Sequence, residues 1–153
     1  MKKKRKFIAV IGGSQADEEN MRIAEEVGCL IAQGNDILVT GGLGGIMHAA
    51  SKGARSCGGL VVGILPTTTR DAANPYVDIP IVTGMGEARN TIIARTCDGA
   101  IAINGAYGTL SEIAFCLQFG VVVVGINTWN IDAPILKASN AQEAVTTLMK
   151  ALA

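Results

Sequence analysis

The sequence predicts an α/β fold of the Rossmann kind: an open, doubly wound, mainly parallel sheet with helices on both faces. Three observations lead there. Near-continuous apolar runs rich in branched side chains recur along the 153 residues, as strands buried on both faces require. Helix-period stripes alternate with these runs, and the right-handed crossover rule turns such a repeat into a parallel sheet. Three glycine-rich turns follow strands, at the end of the sheet where open α/β folds bind ligands.

The elements follow in order. Phe7 to Ile11 is the first strand, and it stops at Gly12-Gly13 after five residues, too soon for a signal-peptide core. Met21, Ala24, Val27 and Ile31 form a helical stripe ended by Gly34. Ile37 to Thr40 is the second strand, followed by a helix from about Ile46 to Cys57 and a third strand from Leu60 to Leu65. Ile79 to Val82 reads as a short additional strand before a helix from Glu87 to Thr96. Ala100 to Ile103 and Val121 to Ile126 are the remaining strands. Between them Leu110, Ile113, Ala114 and Leu117 fit the spacing i, i+3, i+4, i+7, and a last helix covers Ala141 to Leu152.

Composition sets the class. With 49% hydrophobic and 17% charged residues, residues 7–153 suit a single domain. Residues 1–6 are expected to form a flexible basic tip, because Lys2, Lys3, Lys4, Arg5 and Lys6 hold five of the thirteen basic residues. A nuclear address or an anionic-surface contact is the other reading of that tip. The rest of the chain carries eight basic residues against thirteen acidic ones, which argues against a nucleic-acid partner. No run approaches the roughly 18 to 20 apolar residues that span a bilayer, so no membrane partner is expected. Cys29, Cys57, Cys97 and Cys116 include no Cys-x-x-Cys pair and are joined by one histidine, His48, so no metal site is expected. Lying in or beside apolar segments, they read as small hydrophobes of a reducing cytoplasm. The high apolar share also suggests surface buried between subunits of a homo-oligomer, a dimer or tetramer.

The chemistry is expected at the turns. Gly12, Gly13 and Ser14 follow the first strand; Gly41, Gly42, Gly44 and Gly45 follow the second; Gly105, Ala106, Tyr107, Gly108 and Thr109 follow the strand ending at Ile103. Bare backbone N–H groups beside a helix N-terminus favour an anion, above all phosphate. No Walker-type Gly-x-x-x-x-Gly-Lys-Ser/Thr occurs. The second strand lacks the terminal acid that an NAD site uses for ribose, so conventional NAD binding is not expected. Arg89 falls in the first turn of its predicted helix, where the dipole disfavours a cation and an anionic ligand, or Glu87, would offset it. Glu112 is ambiguous: Thr109-x-x-Glu112 fits a capping box, yet a carboxylate there is equally placed to guide water or stabilise a developing positive sugar. His48 reads as packing, and Thr67, Thr68, Thr69 and Arg70 as a polar loop. Tyr107 and Trp129 follow strand ends and either stack on a flat heterocycle or serve core or subunit contact.

With Gly105-x-x-Gly108-Thr109-x-x-Glu112 and Arg89 in view, the sequence resembles the LOG-like, Rossmann-type superfamily once labelled "possible lysine decarboxylase". That group includes nucleoside 5′-monophosphate phosphoribohydrolases and molybdenum cofactor carrier proteins, and Arg89-Asn90 with Gly108 to Ala114 looks more like the carrier branch. The resemblance implies Arg89 and Glu112 as the catalytic pair, the loop glycines and Thr109 as a phosphate cradle, and a bound nucleotide or molybdenum cofactor with no other cofactor required. Asn104-Gly105-Ala106 replaces the hydrolases' Pro-Gly-Gly, and Asn90 replaces their lysine, departures that bear on turnover more than on binding. Whether the chain is an enzyme stays open at this point. The decarboxylase label itself fails, because beyond the tip only Lys52, Lys137 and Lys150 remain to hold pyridoxal phosphate.

Overall fold

A computed structural model describes residues 2–153. Its strands are β1 (Phe7–Gly12), β2 (Ile37–Thr40), β3 (Leu60–Leu65), β4 (Ile79–Val82), β5 (Gly99–Ile103), β6 (Val122–Ile126) and β7 (Leu136–Lys137). They form one sheet in the order β4-β3-β2-β1-β5-β6-β7, and every neighbouring pair is parallel. The helices are α1 (Glu18–Gln33), α2 (Ile46–Ser56), α3 (Asn90–Thr96), α4 (Tyr107–Gln118) and α5 (Ala141–Ala151).

Strand periodicity divides the core between the two faces. Ile8 and Val10 of β1 point to the layer built with Ala24, Val27, Ala50 and Leu148, that is, to α1, α2 and α5. Ala9 and Ile11 point the other way, to Ile93, Ala94, Ile113 and Cys116 of α3 and α4. β1 and β5 are therefore apolar on both sides, as expected of central parallel strands. The chain first builds outward from β1 through β2 and β3 to β4, then returns to place β5 on the opposite side of β1. That reversal between β1 and β5 opens a crevice at their carboxyl ends.

Several details differ from the sequence reading. The two-residue edge strand β7 was too short to leave a periodic signal. The helix expected from Glu87 begins as a 3₁₀ turn, Gly86–Arg89, and becomes α-helical only at Asn90. The basic tip is tied down at its inner end, where Arg5 Nε donates to the Asn35 carbonyl at 2.8 Å and the Lys6 N–H to Asp36 Oδ1 at 2.8 Å. The reading of four cysteines as simple hydrophobes is corrected for one pair: Cys29 and Cys57 form a disulfide with Cα atoms 5.3 Å apart. Gly28 and Gly53 make the bridge possible, since a Cβ at either would strike the carbonyl of Ala50 or Glu25 and hold α1 off α2. Cys97 and Cys116 are buried free thiols. Among the described residues no helix is long and apolar enough to cross a membrane.

Candidate functional site

Outside the carboxyl ends of β1 and β5 lies a cleft of about 300 Å³. Gly12, Gly13 and Ser14 line it from the β1 turn, and Ala106, Gly108 and Thr109 from the start of α4, with Arg89 and Glu112 between them. A second hollow, of about 350 Å³, runs from Gly13 and Ser14 to Gly105 and Ala106.

Not every predicted residue reaches the cleft. Gly41 backs it: a Cβ there would lie 2.5 Å from Arg89 Nη2 and 2.7 Å from Met47 Sδ. Gly42 and Gly45 shape the turn into α2, both with positive φ, and the Gly42 N–H is already taken by Thr40 Oγ1 at 3.0 Å. Neither they nor Gly44 line the cleft. Tyr107, 81% exposed, does not line the cleft although its chain neighbours Ala106 and Gly108 do. His48 turns toward Tyr76, edge to face at 5.2 Å, and borders a separate hollow of about 410 Å³ beside α1 and α2. The cleft adds Leu43, Met47, Pro66, Glu87 and Asn90, which sequence reasoning did not select as site residues. Pro66 follows β3 directly, so the strand-end rule that chose the glycines pointed to it as well.

Arg89 is held from several directions. Its Nε donates to the Ile64 carbonyl at 2.9 Å, its Nη2 to the Gly41 carbonyl at 3.4 Å, and its Nη1 to Asn90 Oδ1. Asn90 in turn donates from Nδ2 to Ser111 Oγ on α4 at 3.0 Å. Burial lowers the guanidinium pKa, while the carboxylates of Glu112 and Glu87 act in the opposite direction.

Glu112 does not close a capping box, because α4 begins at Tyr107 and its first turn has no side-chain cap. Thr109 is thus inside the helix, and Glu112 lies in the second turn, 7% exposed and lining the cleft. Desolvation pushes its pKa up to about 8, with the Arg89 charge pulling the other way. No direct ion pair joins the two; among the described residues the ion pairs are Lys52–Glu25 and Arg55–Asp78, both elsewhere.

The helix ends complete the picture. α1 and α5 are capped by Asp17 and Asn140, whose side chains accept from the N–H groups of Asn20 and Glu143. Neither α2 nor α4 has a capping side chain, but the first N–H of α2, that of Ile46, donates to the Gly13 carbonyl at 3.0 Å, so the free donors at the cleft are those of α4. In α4 the N–H groups of Gly108 and Thr109 precede the Leu110 N–H, which bonds the Ala106 carbonyl at 3.1 Å. Orphan donors and the positive end of the helix dipole thus face the same space.

The sequence pattern of the SLOG cluster4 family matches residues 5–152. The chain belongs to that family. A protein of Archaeoglobus fulgidus, named only as uncharacterised, is 51% identical over 78% of each chain. The cytokinin riboside 5′-monophosphate phosphoribohydrolase of Mycobacterium tuberculosis is 35% identical over 65% of this chain and 55% of its own length. This SLOG chain thus spans little more than half of that enzyme. The molybdenum cofactor binding protein of Rippkaea orientalis superposes with a TM-score of 0.92 at 32% identity, covering 98% of this chain and 99% of its own.

Proposed function

We propose that the cleft binds a phosphorylated ligand bearing a flat heterocycle and holds it unchanged, with the phosphorylated pterin of the molybdenum cofactor as the first candidate. The observation that carries this reading is the contrast in helix ends. α4, which opens on the cleft, leaves the N–H groups of its first turn uncapped, whereas α1 and α5 are capped by side chains, and an anion is what such a nest accommodates. Gly108 and Thr109 would hold the phosphate through backbone N–H groups, with the β1 turn at Gly12, Gly13 and Ser14 as the opposite wall.

Three features favour holding over cleaving. Glu112, with its pKa near 8, retains its proton at neutral pH and so lacks the charge that would stabilise an oxocarbenium-like state. Asn90 engages Arg89 and ties it to α4. Ala106 puts a Cβ where the resemblance leads one to expect glycine. The end-to-end likeness to a molybdenum cofactor binding protein supports the same reading.

A second reading, hydrolysis of a nucleoside 5′-monophosphate at its N-glycosidic bond, is favoured by one observation: Arg89 and Glu112 line one cleft. Arg89 would then position phosphate or ribose, and ionised Glu112 would stabilise the sugar cation and guide water. Mass spectrometry of whatever leaves the freshly purified, denatured protein, with calorimetric titration of molybdopterin, tests the first reading. An intact pterin phosphate supports it. Release of adenine and ribose 5-phosphate from AMP, lost in Glu112→Gln, would establish the second instead. A homo-oligomer completes the proposal, and the exposed Ile79, Ile81, Val82 and Met85 supply apolar surface for self-association.

A further inference from the structure

We propose that Tyr107 and Trp129 form the platform on which the ligand's heterocycle lies, and hence that this pair selects phosphates carrying a planar ring system over simple sugar phosphates. The inference rests on the phosphate reading above.

Tyr107 is 81% exposed, whereas the other exposed large apolar side chains reach at most 47%. Core packing therefore does not account for this ring. It is nevertheless held, because the Trp129 ring lies beside it with centroids 5.8 Å apart and planes tilted by 33°. Trp129 is itself fixed, since its Nε1–H donates to the Ala106 carbonyl at 2.9 Å.

Two strand ends combine to produce this. Asn104 after β5 and Asn127 after β6 both adopt left-handed backbone, φ 53° and 50°, rare outside glycine. Thr128 Oγ1 then donates to the Asn104 carbonyl at 2.7 Å, which ties the two turns together. The indole, on the segment after β6, is thereby docked against the segment after β5 that presents the Gly108 and Thr109 donors. Ala106 and Gly108, on either side of Tyr107, both line the cleft, and Glu112, buried and with no ion-pair partner among the described residues, opens into it. Beyond Trp129 lies a separate hollow of about 220 Å³ whose Asn127 and Asn130 side chains already bond Asn20 and Lys137. Neither ring lines the cleft, but Tyr107 directly precedes Gly108, so an anion on the Gly108 and Thr109 N–H groups leaves a ring attached through one sugar, or a comparable spacer, within reach of the exposed tyrosine.

Trp129 is the only tryptophan in the chain, so its emission reports on the platform directly. Wild type, Tyr107→Ala and Tyr107→Phe are titrated with AMP, a pterin monophosphate and ribose 5-phosphate, following Trp129 fluorescence and calorimetric affinity. Stacking on an aromatic side chain contributes about 1 to 3 kcal/mol per base. Accordingly Tyr107→Ala weakens the heterocyclic ligands at least about 5-fold, leaves ribose 5-phosphate within about 2-fold, and Tyr107→Phe restores the affinity. The heterocyclic ligands quench Trp129, and ribose 5-phosphate does not. Equal affinity of wild type and Tyr107→Ala for both heterocyclic phosphates overturns the platform and leaves the phosphate reading standing. Absence of binding by all three ligands overturns the phosphate reading, and the platform with it.

Discussion

Glu112 is an acid kept out of water, and its behaviour with pH follows from that. Its folded pKa, pushed up to about 8 from an ordinary value of 4.5, means that the folded protein binds this proton more tightly than the unfolded chain does. The resulting stability is fully present below about pH 4.5 and is lost as pH rises toward 8. Glu112→Gln removes that dependence. Thermal melts of both proteins from pH 5 to 9 should show wild type losing up to about 4 kcal/mol relative to the variant; parallel curves would contradict the buried acid. The residue was legible in the sequence as important but not as buried. Its spacing from Thr109 fitted a cap, but α4 starts three residues earlier than that cap requires, and the side chain lines the cleft instead. Arg89 was legible through its awkward place near a helix start. Its bonds to Ile64 and Gly41 were not, since both partners are main-chain carbonyls distant in sequence, one on β3 and one in the turn after β2.

At the start of α4 the decisive position is Gly108. A Cβ there meets nothing within 4 Å, and alanine is the better helix former by about 1 kcal/mol. Gly108→Ala should therefore leave stability unchanged or raise it by up to about 1 kcal/mol in urea unfolding. If phosphate approaches the backbone at this point, the same change lowers affinity for a pterin monophosphate or AMP at least about 10-fold. Undiminished binding would place the anion elsewhere. The strands β1, β2, β3, β5 and β6 and helices α1, α2, α4 and α5 could be read from apolar periodicity because each buries a continuous face. β7 and the 3₁₀ turn could not, being two and four residues long.

The molecule as a whole is bound together by more than its two-sided core. The Cys29–Cys57 bridge closes a separation of 28 residues and joins α1 to the end of α2. In the chain-entropy account a loop of this length contributes about 3 to 4 kcal/mol. Reduction, or the double replacement Cys29→Ala with Cys57→Ala, should lower the urea midpoint accordingly. An unchanged midpoint would show that the helix packing suffices alone. The bridge could not be read from spacing, because it depends on how closely α1 and α2 approach in space. The sheet's doubly wound character could, and with it the location of the cleft.

The central position of β1 has one more consequence. Its register with β5 pairs Ile8 with Gly99, so the middle of the sheet waits for residues made long after the amino-terminal strand has left the ribosome. Until then β1 keeps one row of hydrogen-bonding groups vacant, and a fragment ending before β5 would carry a raw apolar seam inviting association with other chains. The centre of the sheet therefore closes only after residues 99–103 are available, and the ligand crevice between β1 and β5 forms no earlier.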